Sequence, residues 1–186
     1  MTELVSPSYG KNILNFWFDE IDKQCWFSVD VDFDAEIKHR FSDVLIAAGK
    51  GELYSWRSTV EGRLAEIIVL DQFSRNIHRD APAAFANDGL ALVLAQETVA
   101  AGLAVMLTPE QRAFLYMPYM HSESRRIHEV AVTLFSEKGM ENNLDFEQRH
   151  KQIIDQFGRY PHRNKVLGRH STDEELVFLN QPGSSF

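Results

Sequence analysis

Residues 58–79 read STVEGRLAEIIVLDQFSRNIHR. Ser58 followed by Glu61 has the form of a capping box, in which a hydroxyl and a carboxylate satisfy the free amides at a helix start. Val60, Leu64 and Ile67 then recur at spacings of three and four, the stripe of an amphipathic helix. Asp71 continues that stripe, four residues beyond Ile67, and Arg75 lies four residues further along it. A carboxylate on an apolar face is costly unless it is partnered, and an aspartate and an arginine at this spacing can pair. Two readings stay open: a structural ion pair joining helices, or a contact to a ligand.

The same period runs through the rest of the chain, and no stretch alternates with the period of a strand. Helices are expected over about 8–19, with Ile13, Leu14, Phe16, Trp17 and Phe18, and from an Asp32 cap through Phe33, Ile37, Phe41, Val44 and Ala48 to Gly49 and Gly51. Pro82 opens a short turn, and a helix ending at Gly102 follows. Thr108-Pro109-Glu110-Gln111 combines a cap, a proline in the first position and a capping-box glutamine. Pro118 is expected to kink or end that helix. Further helices are expected from Ser122 to Glu137, over about 143–157 up to Gly158, briefly after Pro161, and from a Ser171/Glu174 or Thr172/Glu175 box through Leu179. The fold class is all-α: seven to nine short helices stacked as antiparallel pairs in one domain over 1–186, with 181–186 a loose tail.

Composition narrows the function classes. The 186 residues carry a net charge of −8, which argues against non-specific binding to nucleic acid or anionic lipid. One cysteine, Cys25, rules out an internal disulfide and fits a reducing compartment. The start, MTELVSPSYG, lacks the basic and apolar regions of a secretory leader, and no apolar run reaches membrane-spanning length. A cytoplasmic protein without a membrane partner is expected.

Several polar residues break the apolar faces. Glu123, four residues before Ile127, is placed in a first helical turn, where capping alone would favour a carboxylate; His121 stands just before it. Glu147 and His150 both lean inward and have the Glu-x-x-His spacing of di-metal helical bundles. The other such pair, Glu36 and His39, falls off the stripe of its helix. One inward and one outward pair do not make a di-metal site, so no metal is expected, and no nucleotide-, cofactor- or nucleophile-type motif is present. Trp17, Trp26, Phe27 and Trp56 are candidates either for the core or for a groove.

The segment FGRYPHRNKVLGR, 157–169, gathers Arg159, His162, Arg163, Lys165 and Arg169 without one acidic residue. Gly158 ends one helix and Pro161 starts another turn. His162, Arg163 and Asn164 then fall where unpaired amides already create positive potential. An anion is expected there, supplied either by Asp71, Glu123 or Glu147 or by a ligand.

NFWFDE, QCWFSVDVDFDAEIKHRF, LAEIIVLDQFSRNIHRDAPAAFANDGLAL, RAFLYMPYMHSES and FGRYPHRNKVLGRHSTDEELVFL, in this order along nearly the whole chain, resemble the domain-of-unknown-function 924 family of bacterial proteins. That resemblance implies a tetratricopeptide-like α-α superhelix, a right-handed stack of helix pairs, and brings no activity, substrate or cofactor with it. The matching positions are Asp71, Gln72, Arg75 and Asn76, then His121, Ser122 and Glu123, then Arg159, His162, Arg163 and Asn164. Ser74 stands where the motif is expected to carry proline.

Two functions follow from these readings. In the first, an inward polar pocket binds a small anionic molecule: Arg75, Asn76, Arg159, His162, Arg163 and Asn164 hold it, and His121, Glu123, His150 and Asp71 are the acid–base candidates. In the second, stacked helices form a tetratricopeptide-like module for a protein partner, and the polar cluster is a structural network. No cofactor is implied by either.

Overall fold

The computed structural model describes residues 4–184, and all regular structure among them is helical. Helices α1 (Gly10–Asn15), α2 (Val31–Gly49), α3 (Val60–Ile68), α4 (Ser74–Ile77), α5 (Asp88–Ala100), α6 (Pro109–Met120), α7 (Arg125–Phe135), α8 (Glu141–Phe157) and α9 (Asp173–Leu179) are joined by short 3₁₀ turns, by loops and, at Phe16–Glu20 and Val69–Phe73, by π-helical turns. None is long and apolar enough to cross a membrane. The first three residues and 185–186, part of the expected tail, lie outside the described residues. Within that tail, the Ser184 hydroxyl donates to the Leu179 carbonyl and is itself buried.

The helix read from 58–79 is the centre of the fold. α3 and α4 form one continuous rod, interrupted only by a π-helical turn at Val69–Phe73. Every residue from Leu64 to Ser74 is buried. A helix surrounded on all sides is a core helix, so the expected one-sided stripe understates it. α1, α5 and α6 all pack on α3, and α2 packs on the π turn and α4. From there the chain proceeds outward by sequential neighbours: α5 on α6, α6 on α7, α7 on α8. The main core runs from Ile13 to Met140, and a second, smaller cluster of Ile153, Ile154 and Tyr160 with Phe157 and Phe178 anchors the C-terminal segment.

Several helix starts differ by a residue or more from the sequence expectation. α2 is capped by Asp30, whose Oδ1 accepts the amides of Asp32 and Phe33 at 2.9 and 3.0 Å, and Asp32 falls inside the first turn. α3 is capped by Thr59, which accepts the Gly62 amide at 3.1 Å, while Ser58 donates backwards to the Ser55 carbonyl. Pro118 does not end α6, which continues to Met120. The boxes at Thr108/Gln111 and Thr172/Glu175 form with both reciprocal hydrogen bonds. α7 begins only at Arg125, so Glu123 lies in the preceding loop and capping does not explain it.

Gly62 shows how tightly the central rod is seated. A Cβ there would stand 2.0 Å from the Trp56 carbonyl oxygen, so backbone would have to move. At Gly89 a Cβ meets nothing within 4 Å. Gly62→Ala is therefore expected to destabilise the protein, by about 1–3 kcal/mol if it behaves as an overpacked core site. Gly89→Ala should be neutral or stabilising by up to about 1 kcal/mol, because it removes backbone freedom from the unfolded chain. Parallel urea titrations of the two variants check the opposite signs.

Candidate functional site

The π turn carries Asp71, a buried carboxylate with three side-chain partners. Asp71 is 1% exposed. Its Oδ1 lies 2.8 Å from His121 Nδ1 and 3.0 Å from Arg75 Nη1, and its Oδ2 accepts from Gln72 Nε2 at 2.5 Å. π turns recur at functional sites because they break the regular register of a helix. The three donors hold the Asp71 carboxyl below the usual carboxylate range against the opposing effect of burial. An ionised Asp71 accepts and cannot donate, so His121 carries its proton on Nδ1 and presents the Nε2 lone pair. Nε2 has no hydrogen-bond partner among the described residues. Burial, and after it the nearby Arg75 guanidinium, push the His121 pKa down, so the ring is neutral at pH 7.

Arg75 extends the network. It also donates to the Asp71 carbonyl at 2.8 Å and makes a two-pronged pair with Asp88, at 3.0 and 3.1 Å. Asp88 is the first residue of α5 and brings Arg163 into the cluster, accepting from Arg163 Nη1 at 3.3 Å. A concavity of about 370 Å³ opens over these groups. Its wall includes Asp88, His121, Ser122, Glu123 and Arg163 among apolar residues such as Phe85, Leu92 and Leu167.

Arg163 is the least satisfied of these charges. It is 7% exposed, and its guanidinium carbon lies 4.6 Å from the Phe85 ring centroid and 4.5 Å from that of Tyr160. Its one hydrogen bond is the long one to Asp88, and Nε is buried without a partner. Burial, followed by repulsion from Arg75, lowers the pKa of this guanidinium.

The segment around Pro161 departs from the expected geometry. Pro161–Arg163 is a single 3₁₀ turn, too short for a helix-terminal anion site. The amide at its start, that of Tyr160, donates to Glu123 Oε1 at 2.8 Å, and Glu123 also receives Arg169 at 2.6 and 2.9 Å. The protein's own Glu123 thus serves the backbone here, while Arg163 reaches Asp88.

The other candidates separate. Asn76 donates to Asp34 at 2.8 Å on the α2 side. Arg159 forms a bidentate pair with Glu175, and Asn164 donates to Ser171 and Glu175. The bonds of Arg159 and Asn164 tie down the C-terminal segment. His150 donates through Nδ1 to the Phe146 carbonyl and, unlike His121, is not part of the cleft wall. Glu147 pairs with His128 at 2.7 Å, and His128 Nε2 reaches the Ser122 carbonyl at 2.8 Å, so that buried pair braces the loop carrying His121. Trp17 and Trp56 are fully buried in the core, not in a groove. Among the described residues, no group of three or more His, Cys, Asp or Glu is placed to hold a metal ion.

Sequence reasoning missed Asp88 and Phe85. An acidic residue in a first helical turn is ordinary, and only the register of α5 against α4 makes Asp88 a bridge between two arginines.

A family model described as a bacterial protein of unknown function (DUF924) matches residues 13–183. The solved structure of a protein of unknown function, ATU0120, from Agrobacterium tumefaciens is similar: 34% sequence identity, a TM-score of 0.88, and coverage of 93% of this chain and 97% of that one. No curated protein matches.

Burial of neutral histidines predicts the acid sensitivity of the fold. Besides His121, burial pushes His150 down to about 3 and His162 down to about 4. A histidine whose folded pKa lies below its unfolded value of about 6.5 stabilises the native state above that pH, and this contribution is lost as pH falls toward the folded value. Stability should therefore decline from about pH 6.5 downward, each such histidine adding up to about 1.4 kcal/mol per pH unit. His150→Asn should remove one proton's worth of that slope between pH 6 and pH 4.5, read from denaturant midpoints, because its replacement does not titrate.

Proposed function

We propose, for a chain that belongs to the DUF924 family of bacterial proteins, that the cleft binds a small anionic molecule at Arg163 and that His121, oriented by Asp71, is its acid–base group. The observation that carries this reading is Arg163 itself. A guanidinium has five N–H donors, and here one long hydrogen bond occupies them. Leaving a buried donor unmet costs about 1–3 kcal/mol, and other arginines of this protein avoid that cost: Arg57 with Glu66, Arg159 with Glu175 and Arg169 with Glu123 each make paired charge-assisted bonds. An incoming anion would supply what Arg163 lacks.

His121 supports the catalytic half of the reading. A neutral imidazole with its tautomer fixed by a carboxylate and its other nitrogen unpaired is suited to take a proton from a bound molecule. Asp71 is then a positioning residue that sets the tautomer and stabilises the imidazolium formed. Arg75 and Asp88 hold Asp71 and Arg163 in register. Glu123, bound by Arg169 and the Tyr160 amide, is assigned a structural part, as are Asn76, Arg159 and Asn164. His162 lies beside the Tyr160 ring, 5.5 Å between centroids, and is left with no assigned contact to the ligand.

Nitrogen-15 NMR of histidine- and arginine-labelled protein tests both halves. At pH 7 the His121 ring should appear as the Nδ1–H tautomer, and titration with a mixture of acetate, phosphate and sulfate should move the Arg163 Nε resonance while leaving Arg57 Nε in place. A ligand at about 100 times its Kd should add about 2.7 kcal/mol of stability, a Tm rise of roughly 5–10 °C for a chain of this size. An Arg163 signal that responds to no anion rejects the binding reading, and a His121 ring protonated on both nitrogens at pH 7 rejects the base.

A further inference from the structure

The chemistry of the cleft narrows the ligand further. Arg163 Nη1 is committed to Asp88, which leaves the edge formed by Nε and Nη2 without hydrogen bonds. That edge presents two parallel N–H groups, the fork that matches the two oxygens of a carboxylate. The Phe85 and Tyr160 ring centroids lie 4.6 and 4.5 Å from the guanidinium carbon and crowd its surroundings. A flat carboxylate needs less room beside those rings than a tetrahedral phosphate with its further oxygens.

Charge points the same way. Asp88 and Glu123 also line the cleft. The cationic groups facing this region are Arg163 itself, Arg75 behind Asp88 and Arg169 on Glu123, and the remaining anion is Asp71. Three guanidinium groups against three carboxylates leave the cluster neutral, so a single negative charge is tolerated and a second one meets two fixed carboxylates at close range. Beyond the charged end, the walls are Pro82, Phe85, Leu92, Pro118 and Leu167. The volume of about 370 Å³ is more than twice that of a cavity of about 150 Å³ that accommodates benzene.

We infer that the cleft takes a monocarboxylate with an apolar body, its carboxylate on the unpaired donors of Arg163 and its body along Phe85, Leu92, Pro118 and Leu167. This rests on the anion-site reading above. It adds a discrimination that reading does not contain: carboxylate over phosphate, and apolar body over none.

Calorimetric titration of the full chain with acetate, butanoate, hexanoate, benzoate, phenyl phosphate and inorganic phosphate tests it. Affinity should climb from acetate to hexanoate, by roughly fourfold for each methylene fully buried. Benzoate should exceed phenyl phosphate by at least about tenfold, a difference of about 1.4 kcal/mol. Arg163→Met should abolish hexanoate binding, and Leu92→Ser should flatten the chain-length dependence while sparing acetate. Because Arg163→Met can fail to fold, the wild-type Arg163 Nε resonance is followed in the same titrations, where hexanoate should shift it. Phenyl phosphate binding more tightly than benzoate, with Arg163 responding, overturns the carboxylate class and leaves the anion site standing. Equal affinity for acetate and hexanoate overturns the apolar body in the same way. Absence of any response at Arg163 to every compound overturns both this inference and the reading it rests on.

Discussion

The buried carboxylate of Asp71 is the constraint around which the polar interior is organised. Removing such a charge from water is expensive, and the cost is offset only when every lone pair finds a donor. His121, Arg75 and Gln72 supply those donors, and they come from the end of α6, from α4 and from the π turn itself. Satisfying one carboxylate therefore fixes three things: the position of α6 against the central rod, the tautomer of His121 and the direction of Arg75. Arg75 in turn fixes Asp88 at the start of α5, and Asp88 reaches Arg163. Deleting one partner from a buried pair of this kind typically costs about 3–5 kcal/mol, because the other charge is stranded.

The remaining buried charges form a useful contrast. Glu66 with Arg57 and Glu175 with Arg159 are local, closed arrangements, each joining two neighbouring segments. They account for themselves as structure. The chain from Asp71 to Arg163 does not close. It begins with a fully satisfied carboxylate and ends with a guanidinium held by one long bond between aromatic rings. The two types of network differ in their free donors, and that difference, not the burial of charge as such, separates the cleft from the scaffold.

Much of the scaffold is legible in the sequence because it rests on local physics. The boxes at Thr108 and Thr172 sit within four residues of chain and form as their spacing dictates. Gly102 and Gly158 follow α5 and end α8 in the left-handed conformation that glycine adopts without strain. Asp71 and Arg75 stand out as inward charges from period alone. The π turn has no such signature, since a shift of hydrogen-bond register changes no residue type. Glu123 falls outside α7 although Ser122 and Ser124 are both residue types that cap helices, and its bonds to the Tyr160 amide and Arg169 accompany the later start. The Arg163–Asp88 contact joins residues 75 positions apart and is invisible to any local pattern.

The basic segment at 157–169 illustrates how a correct expectation of charge can carry an incorrect geometry. Positive residues gathered at a broken helix do require anions, and carboxylates of the protein meet most of that requirement: Glu175 for Arg159, Glu123 for Arg169 and for the Tyr160 amide. What is left over is one guanidinium whose assigned carboxylate is already engaged by both nitrogens of another arginine. Asp88 cannot serve two guanidinium groups equally, and the shorter bonds to Arg75 show which one it serves first. Cation–π contact with Phe85 and Tyr160 stabilises the guanidinium by about 0.5–2 kcal/mol but supplies no conventional hydrogen-bond acceptor. Arg163 is thus held in place by contacts that leave its donors unused, the arrangement that pre-organises a guanidinium for a ligand at little further cost in side-chain entropy.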